Sequence, residues 1–146
     1  RGEIYLLKDE YDRAIQELTR AIELNHEFHT AYRLRGMAYL EKKEYGKALG
    51  DYNKAIELNH QYAQAYLERA IVYMGKNDIA KAFNDLSKAI EQKPDMATAF
   101  VIRGELYLLK GEYDKAVNDY NRAIELDPDN AIISTWQVLL LFQKRI

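Results

Sequence analysis

The segment HEFH, residues 26–29, is the part of the sequence that comes nearest to a metal-binding motif. His26 and His29 are three residues apart, so their imidazoles could share one ion. A structural zinc site needs four ligands, however, and no third ligand at a close spacing is evident. His60 follows His26 at an interval that recurs throughout the chain. We therefore interpret these histidines as turn residues and expect no metal site.

Other catalytic chemistries have even less support. Ser87 and Ser134 are the only serines, neither stands near a plausible base, and there is no cysteine. No glycine-rich phosphate-binding loop is present, and the carboxylates recur at spacings typical of solvated helix faces. The sequence therefore predicts a protein that is not an enzyme and that uses no cofactor.

The charge balance argues against two classes of partner. The 146 residues include 21 basic and 23 acidic side chains, for a net charge of −2, and the two signs are interspersed. Binding to nucleic acid or to an anionic membrane would call for a basic stripe, which the sequence lacks. No run approaches the roughly 18 apolar residues of a membrane span. Because the sequence starts at Arg1, without a methionine and part-way into a repeat, we expect it to be a fragment of a longer protein.

One pattern recurs at a constant interval along the chain. A small residue that follows an arginine is found at Gly2, Gly36, Ala70 and Gly104. Tyrosine stands three residues further on in each copy, at Tyr5, Tyr39, Tyr73 and Tyr107. Alanine recurs in the same way, at Ala14, Ala48, Ala82 and Ala116, and again at Ala21, Ala55, Ala89 and Ala123. The pattern predicts a single domain over residues 1–146, with full repeats at 29–62, 63–96 and 97–130, a partial repeat at 1–28 and a terminal helix at 131–146.

Each repeat contains two amphipathic helical patterns. Tyr32, Gly36 and Tyr39 stand at i, i+4 and i+7, and so share one face of a helix. A second pattern of the same kind covers 45–58. Short breaks with turn-forming residues separate the helices, among them KND at 76–78 and KGE at 110–112. A lone helix hairpin cannot bury its apolar face, so the repeats are expected to stack into a solenoid.

These features resemble the tetratricopeptide repeat, whose unit is about 34 residues long. They comprise the repeat length, the paired helices, the small residue and the tyrosine, the recurring alanines, and the prolines Pro94 and Pro128. The resemblance implies an all-α, right-handed solenoid of antiparallel helix hairpins that acts as a scaffold for protein–protein interaction. Two departures are His26 and His60 in the turn position of the prolines, and the arginine before the small residue, where the family more often has leucine.

Some members of this family grip the acidic C-terminal tails of chaperones with a clamp of Lys, Asn and Arg residues. The corresponding positions of this sequence are Arg33, Met37, Glu68, Thr98 and Ile102. Only Arg33 has a suitable side chain, so the resemblance does not extend to that activity.

The arginine that precedes each small residue has a predicted structural role. In an antiparallel hairpin, residues equidistant from the turn face each other, and Arg35 and Asp51 are equidistant from Lys43. The same sequence separation gives four pairs, Arg1–Glu17, Arg35–Asp51, Arg69–Asp85 and Arg103–Asp119. We predict an ion pair in each repeat, since a guanidinium can bind both oxygens of a carboxylate. The alternative is that these acids belong only to surface ladders such as Lys47–Asp51.

The face of each first helix that points away from its partner helix is the candidate binding surface. Such a face should be polar, but it carries apolar residues in three successive repeats. The predicted groove consists of Arg33, Leu34, Met37, Glu41, Leu67, Glu68, Ile71, Val101, Ile102, Glu105 and Leu109. Its acidic residues outnumber its arginine, so we expect it to dock a peptide or helix of another protein that is apolar with basic residues. The alternative is that some of these side chains are buried against adjacent first helices.

The segment AIISTWQVLLLFQKRI, residues 131–146, suggests a second mode of interaction. It has the pattern of one more first helix without a partner, and it is apolar nearly all round. A terminal helix of a solenoid should instead have a polar outer face. The candidates for self-association are Trp136, Leu139, Leu140 and Phe142. A homodimer formed through this helix, or through the groove, is the alternative to docking of a partner.

Overall fold

The computed structural model describes residues 2–7 and 10–129, in which all regular secondary structure is α-helical. The helices are α1 (Gly2–Leu7), α2 (Tyr11–Leu24), α3 (His29–Glu41), α4 (Tyr45–Leu58), α5 (Ala63–Gly75), α6 (Ile79–Gln92), α7 (Ala97–Leu109) and α8 (Tyr113–Leu126). Odd-numbered helices are the first helices of the repeats, and even-numbered helices are the second. The predicted all-α fold of helix hairpins is confirmed. No helix in the described ranges combines the length and the apolar character that a bilayer span requires.

The chain divides into two compact units, Arg1–Asp85 and Leu86–Ile146, and the boundary between them falls within α6. In the first unit, Tyr52 and Val72 are among the largest side chains that are fully buried. In the second unit one buried cluster joins α7 and α8, and it consists of Phe100, Ala116, Tyr120 and Ala123. The interpretation of residues 1–146 as one domain stays a prediction.

The turn from first to second helix has the same backbone geometry in three repeats. The second residue after the helix end is left-handed at Lys43 (φ 61°), at Asn77 (φ 62°) and at Gly111 (φ 76°). In each turn this residue and its successor donate their N–H groups back to carbonyls of the preceding helix, which is the Schellman arrangement. The repeated geometry reverses the chain so that each second helix runs back along the first.

A small residue in the first helix allows close approach of the second. A Cβ atom added to Gly36 would lie 3.1 Å from Cζ of Tyr52, whose side chain is fully buried. A Cβ atom added to Gly104 would lie at the same distance, 3.1 Å, from Cζ of Tyr120. Each tyrosine ring therefore packs directly against the backbone of the first helix, which accounts for the column of small residues in the sequence.

The predicted arginine–carboxylate pairs that lie within the described residues are confirmed, namely Arg35–Asp51, Arg69–Asp85 and Arg103–Asp119. In each pair, Nε and Nη2 of the guanidinium donate to the two carboxylate oxygens at 2.7–2.8 Å. All three carboxylates are buried, so they belong to the hairpin interior rather than to a surface ladder. Lys47 pairs with Glu44 at 3.4 Å instead. The fourth predicted pair, Arg1–Glu17, includes a residue outside the described ranges.

The same arginines also connect successive hairpins of the first unit, which was not predicted. Nη1 of Arg35 donates to Oγ1 of Thr19 on α2 at 3.1 Å, and Nη1 of Arg69 donates to Oδ1 of Asn53 on α4 at 2.9 Å. Thr19 and Asn53 occupy the same position of successive repeats, and both are polar. That column of polar residues was the signal that could have predicted the contact.

Candidate functional site

In the first unit, the predicted groove residues lie on α3 and α5. Helix α3 packs against α4 of its own hairpin and also against α2 of the preceding hairpin, and α5 packs against α4. Leu34 and Leu67, which we expected to be exposed, are only 9% and 3% exposed. Leu34 faces a cleft that it shares with Leu18 and Ala21 of α2. The expectation of exposure is wrong because a first helix has packed neighbours on more than one side.

Glu68 is also buried, contrary to the expectation that it would offer its charge to a ligand. Its side chain is 8% exposed, and Oε1 accepts a hydrogen bond of 2.7 Å from Nη1 of Arg33, whose side chain is 18% exposed. The two residues belong to the neighbouring first helices α3 and α5, so their ion pair links successive repeats. The Glu68 carboxylate therefore neutralises the charge of Arg33. Our expectation of excess negative charge at this point is wrong.

Neighbouring side chains fix both members of this pair. Nε of Arg33 donates to Oη of Tyr62 at 2.6 Å, and Nη1 lies 3.3 Å from Sδ of Met37. Nε2 of Gln64 donates to Oε1 of Glu68 at 3.1 Å. The guanidinium therefore has several contacts, and the carboxylate receives two donors on one of its oxygens.

The other oxygen of Glu68, Oε2, and the hydroxyl of Tyr52 are both buried, and neither makes a hydrogen bond of standard geometry among the described residues. The Tyr52 hydroxyl and the Glu68 carboxyl nevertheless lie close enough to interact. Burial raises the pKa of Glu68 above its usual value, and the charge of Arg33 only partly opposes that rise. Burial also raises the pKa of the Tyr52 hydroxyl, and the charge of Glu68 adds to the increase. The phenol therefore stays protonated, and burial disfavours the charged form of the Glu68 carboxyl group.

The Arg33–Glu68 pair was not predicted, although the sequence carries a signal for it. The equivalents of Arg33 and Glu68 in the other full repeats are all apolar: Leu67 and Val101 for Arg33, and Leu34 and Ile102 for Glu68. Two opposite charges thus replace apolar residues in adjacent columns of successive repeats. Such a replacement indicates an ion pair between the two helices, since each charge would otherwise be buried alone.

The remaining predicted groove residues of the first unit are Met37, Glu41 and Ile71. Glu41 is exposed at the end of α3, whereas Met37 and Ile71 are half-buried. The apolar surface that stays accessible on α3 and α5 is therefore smaller than expected. The role of these three residues in partner binding stays a prediction.

In the second unit, the predicted groove residues lie on α7. Val101, Ile102 and Glu105 are half-buried, and Leu109 is 76% exposed. Val101 packs partly against the core cluster. Ile102, Glu105 and Leu109 stand at i, i+3 and i+7, so they share one face of α7. Glu105 is half-buried, and this burial raises the pKa of its carboxyl group.

The histidines of the HEFH segment have different surroundings. His29 is half-buried, and its ring meets that of Tyr62 edge to face with 5.1 Å between centroids. His26 is exposed in the turn after α2. Across the part of the chain that the structure describes, no group of three His, Cys, Asp or Glu side chains is arranged to hold a metal ion.

The candidate residues for self-association all belong to the segment 131–146, which lies outside the described residues. They are Trp136, Leu139, Leu140 and Phe142. Their role stays a prediction.

Family models of one repeat type match most of the chain. Two models described as tetratricopeptide repeat match residues 97–130 and residues 1–27 with 63–96, and a model described as TPR repeat matches residues 36–77. The chain belongs to the tetratricopeptide repeat family. The resemblance inferred from the repeated residues is thereby confirmed. No curated protein sequence matches this TPR chain significantly.

Several solved structures are similar to this TPR chain. A crystal structure of MamA is 30% identical, with a TM-score of 0.81, and the match covers 89% of this chain and 76% of that one. The TPR protein TTC0263 of Thermus thermophilus is 21% identical, with a TM-score of 0.85 and coverage of 97% and 78%. The first TPR of Spaghetti (RPAP3), bound to the HSP90 peptide SRMEEVD, is 20% identical, with a TM-score of 0.77 and coverage of 81% and 94%. At 21% and 20% identity, the last two structures show only that the fold is the same.

The TPR fold generally mediates protein–protein interaction, and TPR proteins are generally non-catalytic scaffolds. This agrees with the general function expected from the sequence.

Proposed function

We propose that this TPR protein is a non-catalytic scaffold that docks an apolar segment with basic residues from another protein on its first helices. The observation that carries the proposal is the face of α7, where Ile102, Glu105 and Leu109 are all at least partly exposed. A helix face that serves only to meet solvent is normally polar. Leu109, at 76% exposure, departs most from that expectation.

Glu105 supports the presence of a basic residue in the ligand. Because burial raises the pKa of its carboxyl group, the charged form is poorly solvated, and a ligand cation would stabilise it. The hydroxyl of Tyr120 has no hydrogen-bond partner among the described residues, and the charge of Glu105 contributes to its raised pKa. The two groups therefore lie close together. Tyr120 is fully buried, so a lysine or arginine side chain of the ligand would donate to the half-buried Glu105 rather than to that hydroxyl.

An acidic ligand fits the first unit less well. Arg33 is the basic groove residue there, and its guanidinium already binds Glu68 and Tyr62. The peptide SRMEEVD, bound in one of the similar TPR structures, contains two glutamates and an aspartate. Those acids would meet an arginine whose charge Glu68 has already neutralised, so we favour an apolar and basic ligand over an acidic one.

A peptide selection tests the proposal. Peptides selected by the chain from a random display library should be enriched in apolar residues and in Lys or Arg. Their affinity, measured by fluorescence anisotropy, should fall about tenfold in Glu105→Lys, since like charges then face each other. Glu125→Lys makes the same charge change on the second helix of the same hairpin and should leave the affinity unaltered. Acidic selected peptides, or equal effects of the two variants, would contradict the proposal.

Self-association through the segment 131–146 is the alternative predicted from the sequence, and no feature of the described residues favours it. Light scattering of the chain, with and without Trp136→Asp and Leu140→Asp, separates the two functions. A monomer in all three cases would eliminate self-association through these residues.

A further inference from the structure

The first helices of successive repeats present nearly the same packing surfaces. Ala31, Ala65 and Ala99 are counterparts on α3, α5 and α7, and all three are buried. One first helix could therefore pack in a place that belongs to another. Misassembly of this kind is a characteristic failure of repeat proteins. It is most accessible during folding, because a repeat array can begin to fold at more than one repeat.

The contact between α3 and α5 differs from this common pattern. The side chains that make it, here called the Arg33 cluster, are Arg33, Tyr62, Gln64 and Glu68. The guanidinium of Arg33 donates to Glu68 at 2.7 Å and to the hydroxyl of Tyr62 at 2.6 Å. Gln64 donates to the same oxygen of Glu68 at 3.1 Å. Both oxygen atoms that accept from the guanidinium thus belong to the α5 side of the contact, at Tyr62 just before the helix and at Glu68 within it.

The counterparts of α5 lack the acceptors that Arg33 uses. Where α5 has the oxygen-bearing side chains of Tyr62 and Glu68, the counterparts are apolar, namely Phe28 and Leu34 at α3 and Met96 and Ile102 at α7. None of these four side chains has an oxygen that could accept from a guanidinium. Glu68 is selective in return, because the counterparts of Arg33 are Leu67 and Val101.

Burial of the Arg33 cluster turns these differences into a penalty. The side chain of Glu68 is 8% exposed and that of Arg33 is 18% exposed, so a stack of the same geometry with another neighbour would bury a charge alone. A buried charge without a partner is strongly destabilising, whereas a buried ion pair can often be replaced by apolar residues without loss. The cluster therefore acts mainly against stacks in which α3 or α5 has the wrong neighbour.

We propose that the Arg33 cluster determines the order in which the repeats stack, because it admits α5 and excludes α7 as the first helix that follows α3. A stack that skips one repeat would place Met96 and Ile102 against the guanidinium of Arg33 and would leave Glu68 without its cation. This inference goes beyond the proposed function and is independent of it, since no ligand enters the test.

A double-mutant cycle measures the first consequence. Arg33→Leu and Glu68→Ile introduce the residue types found one repeat later. Each single variant should lower the urea midpoint, because one buried charge loses its partner, whereas the double variant should recover the wild-type midpoint or exceed it. Additive losses in the double variant would overturn the proposal, because the cluster would then mainly stabilise the correct stack.

Thiol cross-linking reports the order of the repeats directly, because the chain contains no cysteine. Asp12 and Lys42 form an ion pair where α2 meets α3, and their counterparts one repeat later are Gly46 and Lys76. Gly46→Cys with Lys76→Cys therefore reports the native order. Lys110 is the counterpart of Lys76 at α7, so Gly46→Cys with Lys110→Cys reports a skipped repeat. The three positions are exposed.

Each cysteine pair is refolded from urea at low protein concentration and joined with a short bismaleimide at successive times. The yield of the product that joins positions 46 and 110 in the otherwise unaltered chain is the reference. In Arg33→Leu/Glu68→Ile this yield should rise at least about tenfold, because no unpaired charge then opposes the skipped stack. Arg33→Met/Glu68→Gln, which is closer in shape to the original pair and uncharged, should show the same increase.

The matched control is Asp12→Asn/Lys42→Met, which removes an ion pair that also joins successive repeats but is more exposed, at 80% and 32%. Its yield of the 46–110 product should equal the reference. A yield that stays at the reference in both double variants of the Arg33 cluster, or that rises equally in the control, would show that the cluster does not set the order of the repeats.

Discussion

Asp85 is among the most buried charged residues described, at 1% exposure, and Arg69 binds both of its oxygens. A bidentate pair of this kind contributes geometry as well as energy, since it fixes one helix of the hairpin against the other. Removal of a single partner leaves the other charge buried without compensation. The arginines of these pairs are therefore structural residues, and they are not available to a ligand.

We expect Asp85→Ala to lower the free energy of unfolding by about 3 kcal/mol, because the Arg69 guanidinium then loses its carboxylate. Urea denaturation at neutral pH measures the change. The exposed pair Arg122–Glu125 provides the control, and Arg122→Ala should cost less than about 1 kcal/mol. Equal losses in the two variants would mean that the Arg69–Asp85 pair contributes no more than a surface contact.

Glu68 makes the stability dependent on pH. Its pKa in the folded chain is raised above the usual value of 4.5, so the folded state binds this proton more tightly than the unfolded state does. The resulting stabilisation is complete below the usual carboxyl pKa and is lost as pH rises through the raised pKa. Glu68→Gln keeps the shape of the protonated acid and removes the titration.

The stability of the wild type relative to Glu68→Gln should therefore fall as pH rises from the usual carboxyl pKa towards neutrality. Urea midpoints of both proteins across that range give the difference directly. A difference that is constant with pH, or that grows in favour of the wild type, would show that Arg33 and Gln64 outweigh the burial of the carboxylate.

At the scale of the helix pair, glycine has two different roles in this chain. A Cβ atom on Gly36 would lie 3.1 Å from the fully buried ring of Tyr52, whereas a Cβ atom on Gly50 would have no described neighbour within 4 Å. Both residues lie inside helices, so a change to alanine gives each the same gain in helix propensity. The difference between the two sites is therefore one of packing.

We expect Gly50→Ala to stabilise the protein by up to about 1 kcal/mol, through the propensity of alanine for the helix. Gly36→Ala should destabilise it by about 1 kcal/mol net, because overpacking against Tyr52 exceeds that gain. Thermal and urea unfolding of the two variants measure the contrast. If both substitutions stabilise, the close packing of Tyr52 on α3 does not constrain the hairpin.

The helices, their hairpins and the arginine–carboxylate pairs could be predicted because the same residue types recur from copy to copy. The burial of Leu34 and Leu67 could not, because a helical wheel compares a helix with one partner only. In the folded chain α3 contacts α2 as well as α4, so a face that looks outward in one hairpin is covered by the previous one. The Arg33–Glu68 pair could have been predicted only in part. Its signal in the sequence is that two charged residues of opposite sign replace apolar residues of the repeat.

At the scale of the whole molecule, each of the two compact units has its own buried core. In repeat proteins, stability is approximately a sum over repeats and their nearest neighbours. A substitution that destabilises one unit should therefore leave the stability of the other unit unchanged. The equivalent aspartates Asp51 and Asp119, each 6% exposed, allow the same substitution in both units.

Asp119→Ala should reduce hydrogen-exchange protection of amides in α7 and α8, while α2 and α3 keep theirs. Asp51→Ala should reduce protection in α3 and α4 and spare α8. Amide exchange under native conditions measures both patterns. A uniform loss across all described helices in either variant would show that the chain unfolds as a single cooperative body.

The three hairpins that close at Lys43, Asn77 and Gly111 use one and the same left-handed turn. Within the first unit, Arg35 and Arg69 also reach back to a polar side chain of the hairpin before them. A duplicated copy of one repeat's coding sequence would therefore encode its own left-handed turn and its own arginine contact to the preceding copy. Adding a repeat to such a gene requires no new backbone geometry. Each copy can then acquire substitutions that the other copies lack, as Arg33 and Glu68 illustrate.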